Sequence, residues 1–236
     1  ATEANPMECV KTNILGSQNV ASAALRNEVP VVVAVSTDKA AMPRSLYGAS
    51  KLCLEKLFLN ADLQGKTRFS VARYANVFGS KGSVVPVFQK LRRQGWLPIT
   101  DPNMTRFSMT MQDGIDLVLF AARDGWGGET IVPIVPSYRL PDVATAVDPE
   151  AEQRVVGVRP AENIHEWLIS SADAVNTVRN GNYYVICPTA GRYDVAEYAD
   201  GTGSERVAED FRYVSNENEE WLSVYDIRQL IGSSVF

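Results

Sequence analysis

Tyr47 and Lys51, four residues apart, form the pattern in this sequence with the most direct chemical reading. On a helix that spacing puts both side chains on one face, one turn from each other. A phenol is a poor base at its ordinary pKa of ~10, and a neighbouring ammonium is expected to pull that value down. Such a pair can take a proton from a sugar hydroxyl while hydride leaves to a nicotinamide, and the same lysine can hold the nicotinamide ribose. Alone, Y-x-x-x-K is common on solvated helix faces and carries little weight. Its setting changes that. Ser36-Thr37-Asp38-Lys39 stands shortly before it, directly after the apolar run Val31–Val35. Open α/β sheets bind ligands at the carboxyl ends of their strands, where these residues fall. Asp38 and Lys39 are adjacent acid and base candidates, each able to tune the other in a partly dry cleft. Without the rest, a turn aspartate beside an exposed lysine is an equal reading.

The elements that must position these groups can be read from the same stretch. Asn5 is a helix N-cap candidate, Pro6 suits the first helical position, and Glu8 falls where a capping box puts its acid. Val10, Ile14, Ala21, Ala24 and Leu25 then recur at helical spacing until Pro30. Val31–Val35, apolar on both faces, is predicted to lie in the middle of a parallel sheet. A polar loop, Ser36–Ser45, leads to a helix over Leu46–Ala61 with Ala49, Cys53 and Leu57 on one face, and Phe69–Tyr74 reads as the next strand. This αβαβ order predicts an α/β fold, the C-terminal half of a Rossmann-like doubly wound parallel sheet. After Gly79 the texture changes. Helices are predicted over Val84–Arg93, Gln112–Arg123 and Arg139–Val147, and strands over Leu97–Thr100, Thr130–Val135, Arg154–Val158 and Tyr183–Cys187. The chain from Arg192 is polar and turn-rich, closing on an amphipathic piece at Val224–Ile231. Residues 1–79 are therefore assigned to the sheet domain and 80–236 to a smaller mixed α/β lobe.

Composition excludes several classes. Lys and Arg number 23 against 28 Asp and Glu, a net charge of −5 and a pI near 5.1, which argues against a nucleic-acid partner but not against a small polyanion. No apolar stretch approaches the ~18 residues of a membrane span. Ala1–Glu8 lacks the basic and apolar parts of a signal peptide. Cys9, Cys53 and Cys187 suggest neither a disulfide framework nor a metal site, and a cytoplasmic setting is expected. Gly79-Ser80-Lys81-Gly82-Ser83 is not a P-loop, and Gly201-Thr202-Gly203 has no strand before it and no third glycine. His165, the single histidine, sits at an expected helix start and reads as structural.

Taken together, the stretches resemble a known family. They are N-P-M-E-C-V-K-T-N-I-L-G (5–16), S-T-D-K-A-A (36–41), L-Y-G-A-S-K-L-C (46–53) and R-Y-A-N-V-F-G-S-K-G-S-V-V-P (73–86). With them go I-T-D-P-N-M-T-R-F (99–107), G-G-E-T-I-V-P (127–133) and V-R-P-A-E-N-I-H-E (158–166). The chain resembles the extended short-chain dehydrogenase/reductase superfamily, and within it the UDP-N-acetylglucosamine 4,6-dehydratases. The inverting, 5-epimerising type of pseudaminic acid biosynthesis is the more similar, since Tyr47 stands where retaining relatives often have Met. The resemblance implies that Tyr47 and Lys51 oxidise C4 of the sugar with hydride passing to NADP, or alternatively NAD. It implies that Lys39 removes the C5 proton, Asp38 protonates the departing C6 hydroxyl and Thr37 hydrogen-bonds the C4 oxygen. Hydride return to C6 and reprotonation of C5 from the opposite face then give the inverted 4-keto-6-deoxy sugar. Val35, Ser36 and Val77 would line the nicotinamide side, and Asn76, Lys81, Thr100, Arg159 and Glu162 would hold the UDP-sugar. A homo-oligomer is implied, with no nucleic-acid or membrane partner.

Two departures from the family pattern stand out. The glycine-rich strand–turn–helix that opens the dinucleotide fold is absent from this sequence. Ala161 and Asn163 replace the usual Gly and Lys in the R-P-G-E-K stretch, which affects the local turn and one basic contact. Alternative readings are a related UDP-sugar 4-epimerase, or an inactive piece that only binds UDP-sugar or oligomerises. Half a sheet is also expected to expose apolar surface and to be poorly soluble or to pair with another chain.

Overall fold

The β-branched run becomes strand β1, Val31–Thr37, parallel to β2, Arg68–Tyr74, in register from Val31 opposite Arg68 to Thr37 opposite Tyr74. The computed structural model describes residues 3–80 and 82–233. Beyond β2 the sheet continues with Thr130–Pro133, parallel to it, then Tyr183–Ile186, Thr177–Asn180 and Glu205–Arg206, each antiparallel to its neighbour. Among the described residues β1 stands at one end of the strand order, and Val35 is 45% exposed. Apolar residues on both sides of a strand report two covered faces and say nothing about neighbours in the plane of the sheet.

Both faces are covered. On one, Ala21 and Ala24 of helix α1 (Gly16–Arg26) and Leu54, Phe58 and Ala61 of helix α2 (Leu46–Ala61) pack on Ala34, Phe69 and Val71. On the other, Leu117 and Ala121 of the helix Met111–Asp124 and Tyr198 of the helix Val195–Thr202 pack on Ala72, Ile131, Val178 and Val185. This is the expected α/β architecture, a sheet with helices on either side.

The local signals were read unevenly. α2 has the predicted bounds, and Ser45 caps it, its hydroxyl accepting from Gly48 N at 3.1 Å. On the face carrying Ala49, Cys53 and Leu57, the first two are exposed and Leu57 is half-buried, while Leu54, Phe58 and Ala61 are buried against the sheet. The first helix starts at Pro6, but the Asn5 side chain makes no cap bond, so the capping box is not formed. A π-helical stretch, Val10–Leu15, joins Pro6–Cys9 to α1.

The chain divides into two units. One holds the chain through Tyr74, then Gln112–Ile134 and Trp167–Tyr213; the other holds Ala75–Met111, Val135–Glu166 and the chain from Val214 onward. The chain expected to remain in the second lobe after Gly79 thus returns twice, because strands distant in sequence extend the sheet. In the second unit, Trp96–Ile99 pairs parallel with Glu152–Val155, and Thr105–Phe107 antiparallel with Ser137–Arg139. Its core gathers Val85, Phe88, Leu97, Ile99, Met104, Val143 and Ile227. Among the described residues no helix is long and apolar enough to cross a membrane, and no cluster of metal-ligating side chains occurs. The three cysteines are free.

Candidate active site

β1 runs out at Thr37 into a 3₁₀ turn, Asp38–Ala40, and the turn is held by its own polar groups. Thr37 Oγ1 donates to Asp38 Oδ1 at 2.7 Å, and the Lys39 backbone N–H donates to the same oxygen at 2.9 Å. Lys39 Nζ lies 3.0 Å from Oδ1 and 3.3 Å from Oδ2. The Asp38 side chain is 2% exposed and that of Lys39 39%, so the acid is fixed from inside while the amine reaches solvent. α2 begins against this turn. A Cβ on Gly48 would stand 2.3 Å from Lys39 O, so glycine is required between Tyr47 and Ala49.

This packing brings the Tyr47 phenol into the field of the turn. Burial pushes its pKa up; the Lys39 ammonium pulls it down, Asp38 pushes it up, and a hydrogen bond with Thr37 pulls it down. The balance lies above the ordinary 10.0. The expectation that Lys51 lowers it is corrected. Lys51 Nζ donates to Val35 O at 2.7 Å, turned toward the edge strand, and Lys39 is the cation that acts on the phenol. Burial lowers the pKa of Lys51, with Glu55 opposing.

The end of β1 suits a nicotinamide ring. Ser36 Oγ is buried with no hydrogen-bond partner among the described residues, Val35 is half exposed, and the Lys51 ammonium bonds the Val35 carbonyl. An unpaired hydroxyl, an apolar side chain and a cation at one strand end are groups that could hold a carboxamide-bearing ring and its ribose. Val77 lies in the other unit, bridged to Met109.

Sequence reasoning missed the layer behind Tyr47. Ser50 Oγ donates to Tyr47 O at 2.8 Å and accepts from Asn13 Nδ2 at 2.9 Å and Cys9 Sγ at 3.2 Å. Asn13 belongs to the π-helical stretch, a feature that often marks functional helices. Glu55 and Arg73, buried and paired, were missed as well. The repeat of the four-residue spacing from Tyr47 through Lys51 to Glu55 was the available signal.

The second unit contains a cavity of about 300 Å³. Asn76, Thr100, Arg159 and Glu162, expected to hold the UDP-sugar, line it together with Ser83, Phe88 and Arg106. Lys81 lies outside the described residues. Among the described residues, Asn76 Oδ1 and Ser83 Oγ are buried without hydrogen-bond partners, as groups reserved for a polar ligand would be. Arg106, not singled out from the sequence, is held by Glu166 (Nε–Oε1 3.3 Å), by Glu162 (Nη2–Oε1 3.7 Å) and by the carbonyls of Thr105 and Ile164. Its signal was an arginine between two buried strand positions, Thr105 and Phe107.

The departures from the family pattern fall here. Glu162 N donates to Arg159 O at 3.1 Å, closing a turn with Pro160 second and Ala161 third. Ala161 has φ 63°, the left-handed value that the third position of a type II turn demands and that glycine supplies without strain. Asn163 Nδ2 donates to Glu166 Oε2 at 3.1 Å. His165 lies in a loop, not at a helix start, and its Nδ1 bonds Thr105 Oγ1 at 2.9 Å.

A helix-covered sheet with a Tyr-x-x-x-Lys helix beside a strand end defines an extended short-chain dehydrogenase/reductase. Residues 1–188 match the family described as polysaccharide biosynthesis protein, and the chain belongs to that family. A UDP-N-acetylglucosamine 4,6-dehydratase (inverting) from Campylobacter jejuni is 44% identical over 98% of this chain and 72% of its own length. A UDP-glucose 4-epimerase from Rickettsia akari is 37% identical over 96% of this chain and 68% of its own. The X-ray structure of Pen from Bacillus thuringiensis superposes with a TM-score of 0.84 at 29% identity, covering 98% of this chain and 70% of that one.

Proposed function

We propose that this chain is an inverting nucleotide-sugar 4,6-dehydratase acting on UDP-N-acetylglucosamine. The observation that carries the reading is the gathering of a phenol, an amine and a carboxyl at one strand end: Tyr47, Lys39 and Asp38, joined through Thr37. Bound at the end of β1, a nicotinamide cofactor, NADP by expectation and NAD as the alternative, would supply reversible hydride acceptance. Ser36, Val35 and Lys51 would hold it.

The residues divide the proton work. Tyr47 would act as its phenolate, its own proton passed to solvent, a form that Lys39 and Thr37 favour and burial and Asp38 oppose. It would then take the proton of the C4 hydroxyl as that carbon is oxidised, while Thr37 steadies the C4 oxygen. The resulting ketone acidifies the C5 proton. Lys39 and Asp38 then act as one device. Moving a proton from Nζ to Oδ1 across their 3.0 Å contact leaves an amine that can accept the C5 proton and an acid that can release one to the C6 hydroxyl. The C6–O bond would then break and water leave; C6 would regain hydride from a bound nicotinamide, and a solvent proton reaching C5 from the face opposite Lys39 would complete the inversion. In the second unit Arg159 and Arg106 offer charge-assisted bonds to the diphosphate, while Asn76, Thr100 and Glu162 offer polar contacts to the sugar and ribose. The three free thiols suit a reducing compartment such as the cytoplasm.

The test is incubation with UDP-N-acetylglucosamine and NADP, followed by NMR of the product. A C6 methyl with inverted C5 is expected. A product that retains its C6 hydroxymethyl, inverted only at C4, ends the dehydratase reading and supports the epimerase one, for which Lys39 and Asp38 would be idle.

A further inference from the structure

Glu55 follows Lys51 on α2 by one turn, as Lys51 follows Tyr47, so the three share a face. Its carboxylate is 2% exposed and meets Arg73 of β2 with both oxygens, Nε–Oε1 at 3.0 Å and Nη2–Oε2 at 2.7 Å. The remaining guanidinium nitrogen, Nη1, donates to Leu168 O at 2.7 Å. Arg73 stands opposite Ser36 in the β1–β2 register, one residue before the Thr37–Lys39 turn begins.

A buried ion pair is an expensive way to hold a helix on a strand, because well-packed apolar residues of similar volume do so as well or better. The same helix uses that cheaper means elsewhere, with Leu54 and Phe58 against Phe69 and Val71. What the pair adds is direction. Two planar groups joined by two parallel bonds fix rotation as well as distance.

We propose that Glu55, clamped by Arg73, is the positioning residue for Lys51: it sets the rotation of α2 that aims the ammonium at the carbonyl of Val35. The proposal rests on the reading of Tyr47 and Lys51 as the reacting pair. Glu55 is also the charge that opposes the desolvation of Lys51, whose other close polar partner is Val35 O from β1. Arg73 in turn faces Glu55 from α2, Asp38 from the turn and Asp173 from the short helix Ser171–Ala174. Asp38 and Asp173 act on the guanidinium through their charge, while its bonds go to Glu55 and Leu168 O.

Two variants test this in the full chain. Glu55→Gln keeps size and removes the charge; the paired change Glu55→Leu with Arg73→Met restores an apolar fit. Lys51 Nζ is followed by NMR in protein carrying ¹⁵N-labelled lysine, with Lys51→Arg assigning the signal, and kcat and KM are followed against pH. In Glu55→Gln the Lys51 titration is expected to move down by about one pH unit. kcat should fall about tenfold with KM for the UDP-sugar within about twofold. The paired variant should melt near the parent temperature and still show the lowered Lys51 titration and the reduced kcat. A Lys51 signal that titrates as in the parent, with only the melting temperature lowered, overturns the proposal. A shifted Lys51 in a protein that makes no dehydrated sugar in parent or variant upholds the positioning role and sinks the proposed function instead.

Discussion

The turn at the end of β1 and the cavity of the second unit treat their polar groups in opposite ways. Asp38 accepts from Thr37 Oγ1, from Lys39 N and from Lys39 Nζ, all within 3.0 Å. The cavity leaves Asn76 Oδ1 and Ser83 Oγ buried without partners among the described residues, and Ala161 is held at a left-handed φ of 63°. A buried polar group without a partner costs about 1–3 kcal/mol, so the cavity carries a cost that a polar ligand would relieve. Groups that must move protons are fixed before any ligand arrives, while groups that must recognise one are left wanting. Ser36 Oγ, orphaned within the first region, follows the second rule and belongs with recognition.

If that division holds, changes in the turn strike kcat and changes in the cavity strike affinity. Lys39→Ala is the largest expected effect: kcat for dehydration should fall about 10³-fold. Affinity for the UDP-sugar should stay within about 1.4 kcal/mol, one decade. Single-turnover kinetics and calorimetry separate the two, and a loss confined to affinity would break the comparison. Arg159→Ala comes next. Losing a charge-assisted bond should weaken UDP binding by about 1.5–3 kcal/mol and leave kcat at saturation nearly unchanged. A collapse of kcat at saturating sugar would place Arg159 with the chemistry.

How much of this was legible in the sequence follows from distance along the chain. The bounds of α2 and the Ser36–Lys39 and Tyr47–Lys51 groups could be read because cap, period and spacing are local. Which face of α2 turns inward could not, since two apolar stripes competed and only the partner surface decides. The burial of the Tyr47 phenol was equally hidden, so the expected lowering of its pKa came out reversed even with the Lys39 ammonium pulling it down. Glu55–Arg73, Asn13–Ser50 and Arg106–Glu166 join residues 18 to 60 positions apart, and no periodicity announces such pairs. A strand's sequence likewise reports its faces and not its neighbours. Ala161 lies between these cases: its departure from the family pattern was visible, and its positive φ gives that departure a physical meaning.

Ala161→Gly sharpens the comparison from the cavity side. A non-glycine residue held left-handed costs roughly 1–2 kcal/mol, offset in part by the greater freedom glycine has in the unfolded chain. A net gain of about 0.5–1 kcal/mol is expected, read as a rise in melting temperature of roughly 1–4 °C for a chain of this size. UDP affinity should hold or improve. A lowered melting temperature would mean that the turn is not strained at this residue.

The smallest effect concerns pH. Burial and Arg106 hold His165 below its ordinary 6.5, with Asp101 and Glu217 pulling the other way. Its folded pKa lies below the unfolded one, so the stability it contributes is present above about 6.5 and is lost as pH falls through the folded value. By contrast, burial raises Tyr47 above its ordinary 10.0, away from this range. Between pH 7.5 and 5.5 the second unit should therefore respond through His165. His165→Gln keeps a hydrogen-bonding group facing Thr105 and removes the titration. The difference in melting temperature between those two pH values should shrink by about one degree, with kcat at pH 7.5 unchanged. An undiminished difference would shift the acid sensitivity away from His165 and onto the carboxylates around Arg106.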